Sequence, residues 1–278
     1  MERNIIIRHQ ELELTASIHY PSQDRHADGQ GKGKDRTPLI VICHGFVGSR
    51  IGVDRLFVNS ARELAAEGYM VVRFDYAGCG ESSGLYGQQG LDSMVAQTRS
   101  VLDYVMNCSD IDPTRVTLIG HSLGGAVAIL TAVRDHRVKH LVLWSAVGHP
   151  FNDIVKIVGR ETYDQAVIEG EADYLGYCFK PVYFESLGNY QPFIEARQFS
   201  GDVLVIHGTG DDVIPVDYAF LYQQEFWSRQ EGRCDKQIIF QANHTYSSGP
   251  HRRELLRYTR EWLAGREAAQ TQWQHWMI

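Results

Sequence analysis

A serine framed by glycines, Gly120-His121-Ser122-Leu123-Gly124-Gly125, follows the apolar run Val116–Ile119 and precedes the Ala-rich stretch Ala126-Val-Ala-Ile-Leu130. A strand, a G-x-S-x-G turn and a helix in that order hold a hydroxyl on a sharp turn. Neighbouring side chains collide there unless the flanking positions are glycine. Such a turn lifts the hydroxyl into a cleft beside a helix N-terminus, whose dipole favours developing negative charge. Ser122 is therefore the candidate nucleophile, and the Leu123 amide a candidate donor to an oxyanion. A serine hydroxyl needs a base, and the base needs a group that orients it. Downstream, the apolar run Val203–His207 is followed by Gly208-Thr-Gly-Asp211-Asp212, and Gln237–Gln241 by Ala242-Asn243-His244. His244 is the candidate base, and Asp211 or Asp212 the orienting acid; spacing alone leaves these neighbours open. Asp75 also ends an apolar run, but it precedes the serine and is expected to brace a turn.

The elements that must position these groups are visible as pattern. The first twenty residues alternate apolar and polar and are expected to form a hairpin. From Leu39 onward, short apolar runs at Leu39–Cys43, Met70–Phe74, Val116–Ile119, His140–Trp144, Val203–His207 and Gln237–Gln241 suit strands covered on both faces. Helical patterns lie between them, at 53–67, 91–107, 123–134, 216–229 and 251–264. This alternation predicts an α/β fold with a mostly parallel central sheet and helices on both faces, its chemistry beyond the carboxyl ends of the strands. Just past the run at 39–43 stand His44-Gly45-Phe46. Gly45 would let backbone approach a substrate, and the Phe46 amide is the second candidate oxyanion donor. Cys43 is expected to be a small buried residue.

Residues 148–200 break the rhythm. They are too long and too rich in Tyr and Phe for a plain connection, and are expected to form an inserted cap (lid) between core segments 1–147 and 201–278. Residues 21–37, Gly-, Lys- and Asp-rich, are expected to be a mobile loop. The tail from Gly265, with Trp273 and Trp276, is expected either to fray or to dock on a partner subunit, so a homo-oligomer is possible on this reading.

Composition narrows the function classes. The chain has 278 residues, 44% hydrophobic and 22% charged, with a net charge of −7 and an isoelectric point near 5.9. No basic patch suited to phosphates is evident, which argues against a nucleic-acid partner. The cysteines are scattered with no CxxC pairing, which argues against a metal site or disulfide framework and favours reduced thiols and a cytoplasmic location. No run approaches the ~20 apolar residues of a membrane span.

The set His44-Gly45-Phe46, Asp75-Tyr-Ala-Gly78-Cys-Gly80-Glu-Ser82, Gly120-His-Ser-Leu-Gly124, His207-Gly-Thr-Gly-Asp211 and Asn243-His244 resembles the α/β-hydrolase superfamily over most of the chain. Within it, the likeness is to the bacterial carboxylesterase, cinnamoyl (feruloyl) esterase and serine-aminopeptidase-like branch. The branch pattern HG-x-x-D-x-x-x-P, with Pro215 in register, implies that the acid is Asp211. The resemblance implies catalytic Ser122, Asp211 and His244, an oxyanion hole of the Phe46 and Leu123 amides, and no cofactor. It also implies substrate contacts from Gly45, His121 and the hairpin-like Gly176–Leu187 stretch, through Tyr177 and Phe179. The expected activity is a serine carboxylesterase acting on small acyl or aromatic, cinnamoyl-type esters. The alternatives are a peptidase or amidase using the same triad, with Glu169, Glu171, Asp173 or Glu185 anchoring a substrate terminus, and a non-enzymatic binding protein on a hydrolase scaffold.

Overall fold

The computed structural model describes residues 1–21, 36–108 and 110–276, with side chains as far as 268 apart from that of Cys108. The loop expected over 21–37 falls almost wholly outside the described residues. The first elements are β1 (Glu2–His9) and β2 (Leu12–His19), an antiparallel hairpin as the alternation requires. There follow β3 (Thr37–Cys43), α1 (Leu56–Ala66), β4 (Met70–Phe74), α2 (Leu91–Cys108), β5 (Ile111–His121), α3 (Leu123–Arg134) and β6 (His140–Trp144). Next come α4 (Pro150–Val158), α5 (Arg160–Glu169), β7 (Ala172–Tyr174), β8 (Tyr177–Phe179), α6 (Pro181–Gly188) and α7 (Pro192–Glu195). The chain then returns to β9 (Asp202–Gly208), α8 (Asp217–Trp227), β10 (Cys234–Ile239) and α9 (Gly249–Trp276).

The main sheet is eight-stranded, in the order β1-β2-β4-β3-β5-β6-β9-β10. It is parallel from β4 to β10, with β2 running antiparallel to both its neighbours. Period-two alternation sends Leu39, Val41, Leu118, Leu141, Leu143, Val203 and Val205 to one face, against α2, α3 and α8. Ile40, Ile42, Ile119, Val142, Leu204 and Ile206 go to the other, against α1 and α9. Both faces are dry, which explains the nearly unbroken apolar strands.

Two boundaries differ from the sequence expectation. The last strand is Cys234–Ile239 rather than Gln237–Gln241. Its pairing with Val203–Gly208 starts at Cys234, Phe240 is 74% exposed, and Gln241 turns left-handed at φ 56°. The helix expected to stop at 264 runs on to Trp276, because 266–276 contain neither proline nor glycine and are rich in Glu, Ala, Gln and Arg.

The stretch between β6 and β9 is structured throughout. Proline opens α4, α6 and α7, where its missing N–H has no intrahelical acceptor to serve. The β7–β8 hairpin turns through Leu175 and Gly176, both at positive φ, the backbone that a two-residue hairpin turn needs. Helix α6 packs on α2, and α7 on α3.

Asp75 does brace a turn. Its side chain is fully buried against Arg50 and accepts the Arg50 amide at 2.5 Å, the Arg50 guanidinium and the Glu81 amide at 3.1 Å. Arg73, itself buried, donates to the Arg50 carbonyl at 2.7 Å. The loop after β3 is thereby clamped to the end of β4. Replacing Asp75 by Ala would strand Arg50 beside a cavity, and should lower unfolding free energy by ~3 kcal/mol, measured by urea denaturation.

Candidate active site

Ser122 sits between β5 and α3 at φ 56°, ψ −126°, a conformation that costs a non-glycine residue on the order of 1–3 kcal/mol. The turn is held from three sides. The Ser122 amide donates to the Trp144 carbonyl at 3.0 Å, and the Ser122 carbonyl accepts from Gly125 (2.9 Å) and Val147 (3.0 Å). The glycines are steric necessities. A Cβ on Gly124 would lie 2.2 Å from the Cys43 carbonyl oxygen, and one on Gly120 would lie 2.3 Å from that of Gly124.

The loop after β3 comes equally close. A Cβ on Gly45 would stand 2.9 Å from Ser122 Cβ and 3.4 Å from its Oγ. His44, buried beneath, donates from Nδ1 to the Gly45 carbonyl (2.9 Å) and accepts the Tyr76 amide at Nε2 (3.1 Å). Among the described residues, neither the Phe46 nor the Leu123 amide has a hydrogen-bond acceptor. The Phe46 ring is anchored among Tyr86, Tyr174, Phe179 and Tyr183, with centroids 5.4–6.2 Å away. Cys43 is buried as expected, and burial pushes its thiol up to about 11.

Beyond β9 and β10, Asp211 and His244 meet. His244 Nδ1 donates to Asp211 Oδ2 at 2.8 Å, leaving Nε2 free to take a proton. Asp211 Oδ1 accepts the amides of Val213 (3.0 Å) and Ile214 (2.9 Å). Burial works against the Asp211 charge, but hydrogen bonds from His207 and His244, and then from the Ile214 amide, outweigh it. They hold the carboxyl well below the ordinary range. Asp212 is exposed, so burial separates the two neighbours that spacing could not. Ser122 Oγ and His244 are not hydrogen-bonded among the described residues; both open onto one cleft, and such contacts commonly tighten only around substrate.

That cleft has a volume of about 550 Å³. It is walled by Val47, Val53, Leu56, Phe57 and Tyr177, with Gly45, Phe46, His121, Ser122 and His244 at its floor and side, and among the described residues no Lys, Arg, Asp or Glu lines it. Of the expected substrate contacts, Gly45, His121 and Tyr177 reach it. His121 Nε2 is committed to donating to the His244 carbonyl at 2.8 Å. Burial and the neighbouring His244 lower its pKa to about 3, so its ring stays neutral.

Phe179 does not reach the cleft. It shares a face of β8 with Tyr177, both rings lying on Tyr86, but it is fully buried against Tyr183 (4.9 Å) and Phe46 (5.4 Å), whereas Tyr177, next to the hairpin turn, is half-buried. The aromatic residues of 148–200 mostly join the protein's main hydrophobic core. The opposite wall, Val53, Leu56 and Phe57, comes from the turn before α1 and the first residues of α1, which sequence reasoning passed over; its only signal was apolar residues after a Gly-rich loop. Also missed was His207, whose Nε2 lies 3.0 Å from Asp211 Oδ2.

Comparison with known proteins bears on the fold. The family model described as serine aminopeptidase, S33, matches residues 34–162. An Escherichia coli protein encoded between traX and finO is 36% identical over 111 residues, 40% of this chain and 38% of the relative. The 2-hydroxy-6-oxo-2,4-heptadienoate hydrolase of Pseudomonas putida is 26% identical over 212 residues, 63% of this chain and 75% of the relative. The chain spans 38% to 63% of the length of the curated relatives it matches first. Among solved structures, Est1E from Butyrivibrio proteoclasticus with bound ferulic acid superposes with a TM-score of 0.76 at 20% identity, over 94% of this chain and 99% of that one. The chain has the α/β-hydrolase fold.

Because Gly124 is pressed on the Cys43 and His44 carbonyls, Gly124→Ala must push the loop after β3 away from the turn. The expected outcome is a loss of ~2 kcal/mol in stability together with loss of fluorophosphonate labelling at Ser122, read by denaturation and intact mass.

Proposed function

We propose that this protein is a serine hydrolase that cleaves esters of neutral carboxylic acids through an acyl-enzyme on Ser122. One observation carries the reading: the hydrogen-bonded Asp211–His244 pair opens onto the same cleft as a serine held on a strained turn. His244 Nε2 takes the hydroxyl proton as Oγ attacks the ester carbonyl, and Asp211 stabilises the resulting imidazolium. The Phe46 and Leu123 amides, already without acceptors, receive the oxyanion, at a few kcal/mol per donor. His244 then protonates the leaving alcohol, and water repeats the sequence on the acyl-enzyme. The chemistry requires no cofactor or metal.

The uncharged lining supports a small acyl or aromatic acyl group lying against Val53, Leu56 and Phe57, with residues 148–200 acting as a cap that contributes Tyr177 to the cleft. The family model's description favours a second reading, an aminopeptidase. Binding a peptide's ammonium group calls for an acid at the cleft. Glu169, Glu171, Asp173 and Glu185 are all exposed, and none lines it.

Ser122→Ala should reduce hydrolysis of short p-nitrophenyl esters by at least ~10,000-fold. Asp211→Asn should reduce kcat by a comparable ~10,000-fold, while Asp212→Asn stays within about twofold. Full turnover by the Ser122 variant would sink the nucleophile assignment. A panel of acyl esters, methyl cinnamates and aminoacyl p-nitroanilides should show ester kcat/KM ahead by roughly 100-fold or more, the size of one favourable transition-state contact. Parity between esters and aminoacyl amides would move the assignment to the peptidase.

A further inference from the structure

Asp211 is contacted by a second histidine for which the mechanism above has no use. His207 ends the inner strand β9, where it pairs with Ile238 of β10, and is 1% exposed. Its Nε2 lies 3.1 Å from the Ile214 carbonyl, which can only accept, so Nε2 carries the proton. The same nitrogen lies 3.0 Å from Asp211 Oδ2, the oxygen that also receives His244 Nδ1. The other nitrogen, Nδ1, is buried without a partner. An N–H on that nitrogen would be buried with no acceptor.

The carboxylate is thus bound asymmetrically. Oδ1 is fixed by loop amides and Oδ2 is divided between two imidazoles, only one of which faces the cleft. We infer that His207 is a positioning residue: its Nε2–H orients Asp211 Oδ2 toward His244 and draws off part of the charge that Oδ2 presents to the base. The inference rests on the Ser122 hydrolase reading. Sharing an anionic oxygen between two donors weakens what each receives. Removing His207 therefore leaves more negative charge for protonated His244, while allowing the carboxylate to swing.

The titratable groups facing this cluster are His121 from the end of β5, His207 from β9, and His244 and Tyr246 from the loop after β10. No Lys or Arg side chain contacts Asp211 among the described residues. His121 is kept neutral by burial, and Tyr246, donating to the Ile206 carbonyl at 3.1 Å, has its hydroxyl pushed above the ordinary range by burial. Neither titrates between pH 5 and 9, so a change of the acid limb in that interval reports on the Asp211–His244 pair.

The test compares His207→Leu, which removes the donor, with His207→Gln, whose amide N–H can occupy the Nε2 position. The readouts are p-nitrophenyl butyrate hydrolysis and fluorophosphonate labelling rate, from pH 5 to 9. The Leu variant is expected to lose roughly tenfold in kcat with KM nearly unchanged, and to move the acid limb of kcat/KM to higher pH by about half a unit to one unit. The Gln variant should recover most of both. An unmoved acid limb in a folded Leu variant overturns the inference, whatever happens to kcat. So does equal impairment of the Leu and Gln variants in proportion to a loss of thermal stability. Ser122→Ala, run alongside, separates the two failures: if it remains active, the hydrolase reading fails, and if it is dead while the acid limb is unmoved, only the role of His207 fails.

Discussion

The ends of β3 and β5 are hydrogen-bonded neighbours, and the backbones leaving them are packed so closely that a single methyl group has no room between them. Gly45 touches Ser122 from one side, and Gly124 touches the Cys43 and His44 carbonyls from the other. This contact sets the loop carrying Phe46 and the turn carrying Leu123, which arrive from different strands, against one another. The rest of the structure is arranged around keeping it. The Trp144 carbonyl and Val147 amide pin the turn from β6, and the Asp75–Arg50–Arg73 clamp pins the loop from β4. A strained serine backbone persists because these neighbours over-determine it.

The acid–base pair obeys a different logic. Asp211 and His244 stand on loops after adjacent strands, and their contact is electrostatic rather than steric. A buried carboxylate stays ionised only if its lone pairs are met, and here amides, His207 and His244 meet them. The site thus joins a rigid half, where backbone crowding sets the geometry, to a half where hydrogen bonds set the charge.

Much of this was legible in the sequence. Continuous apolar runs with helices between them reported a sheet covered on both sides, and the succession Ser122, Asp211, His244 placed each group beyond a strand end. Spacing could not separate Asp211 from Asp212, because the deciding quantity is which carboxylate is buried. The insertion misled for a related reason. Tyr177 and Phe179 are both aromatic and two residues apart, so alternation sends them to the same face, and only how deeply each is covered decides that one meets the cleft and the other the interior. His207 read as the last residue of an apolar run, since an imidazole in a core strand has no spacing that announces its partner. The α1 wall was hidden because apolar residues at a helix start look the same whether they face the core or a cavity.

The insertion leaves the sheet after β6 and rejoins it at β9, and these two strands are direct neighbours in the sheet. Its ends are therefore held together by the sheet's own hydrogen bonds, and a change in its length alters chain-closure entropy only logarithmically, by ~0.6 kcal/mol per doubling. Changes of length in this stretch are therefore cheap for the sheet. Its tie to the floor of the cleft is Phe46, whose ring packs on Tyr174, Phe179 and Tyr183 of the stretch while its backbone belongs to the loop after β3. Any change in the stretch has to leave that ring a seat.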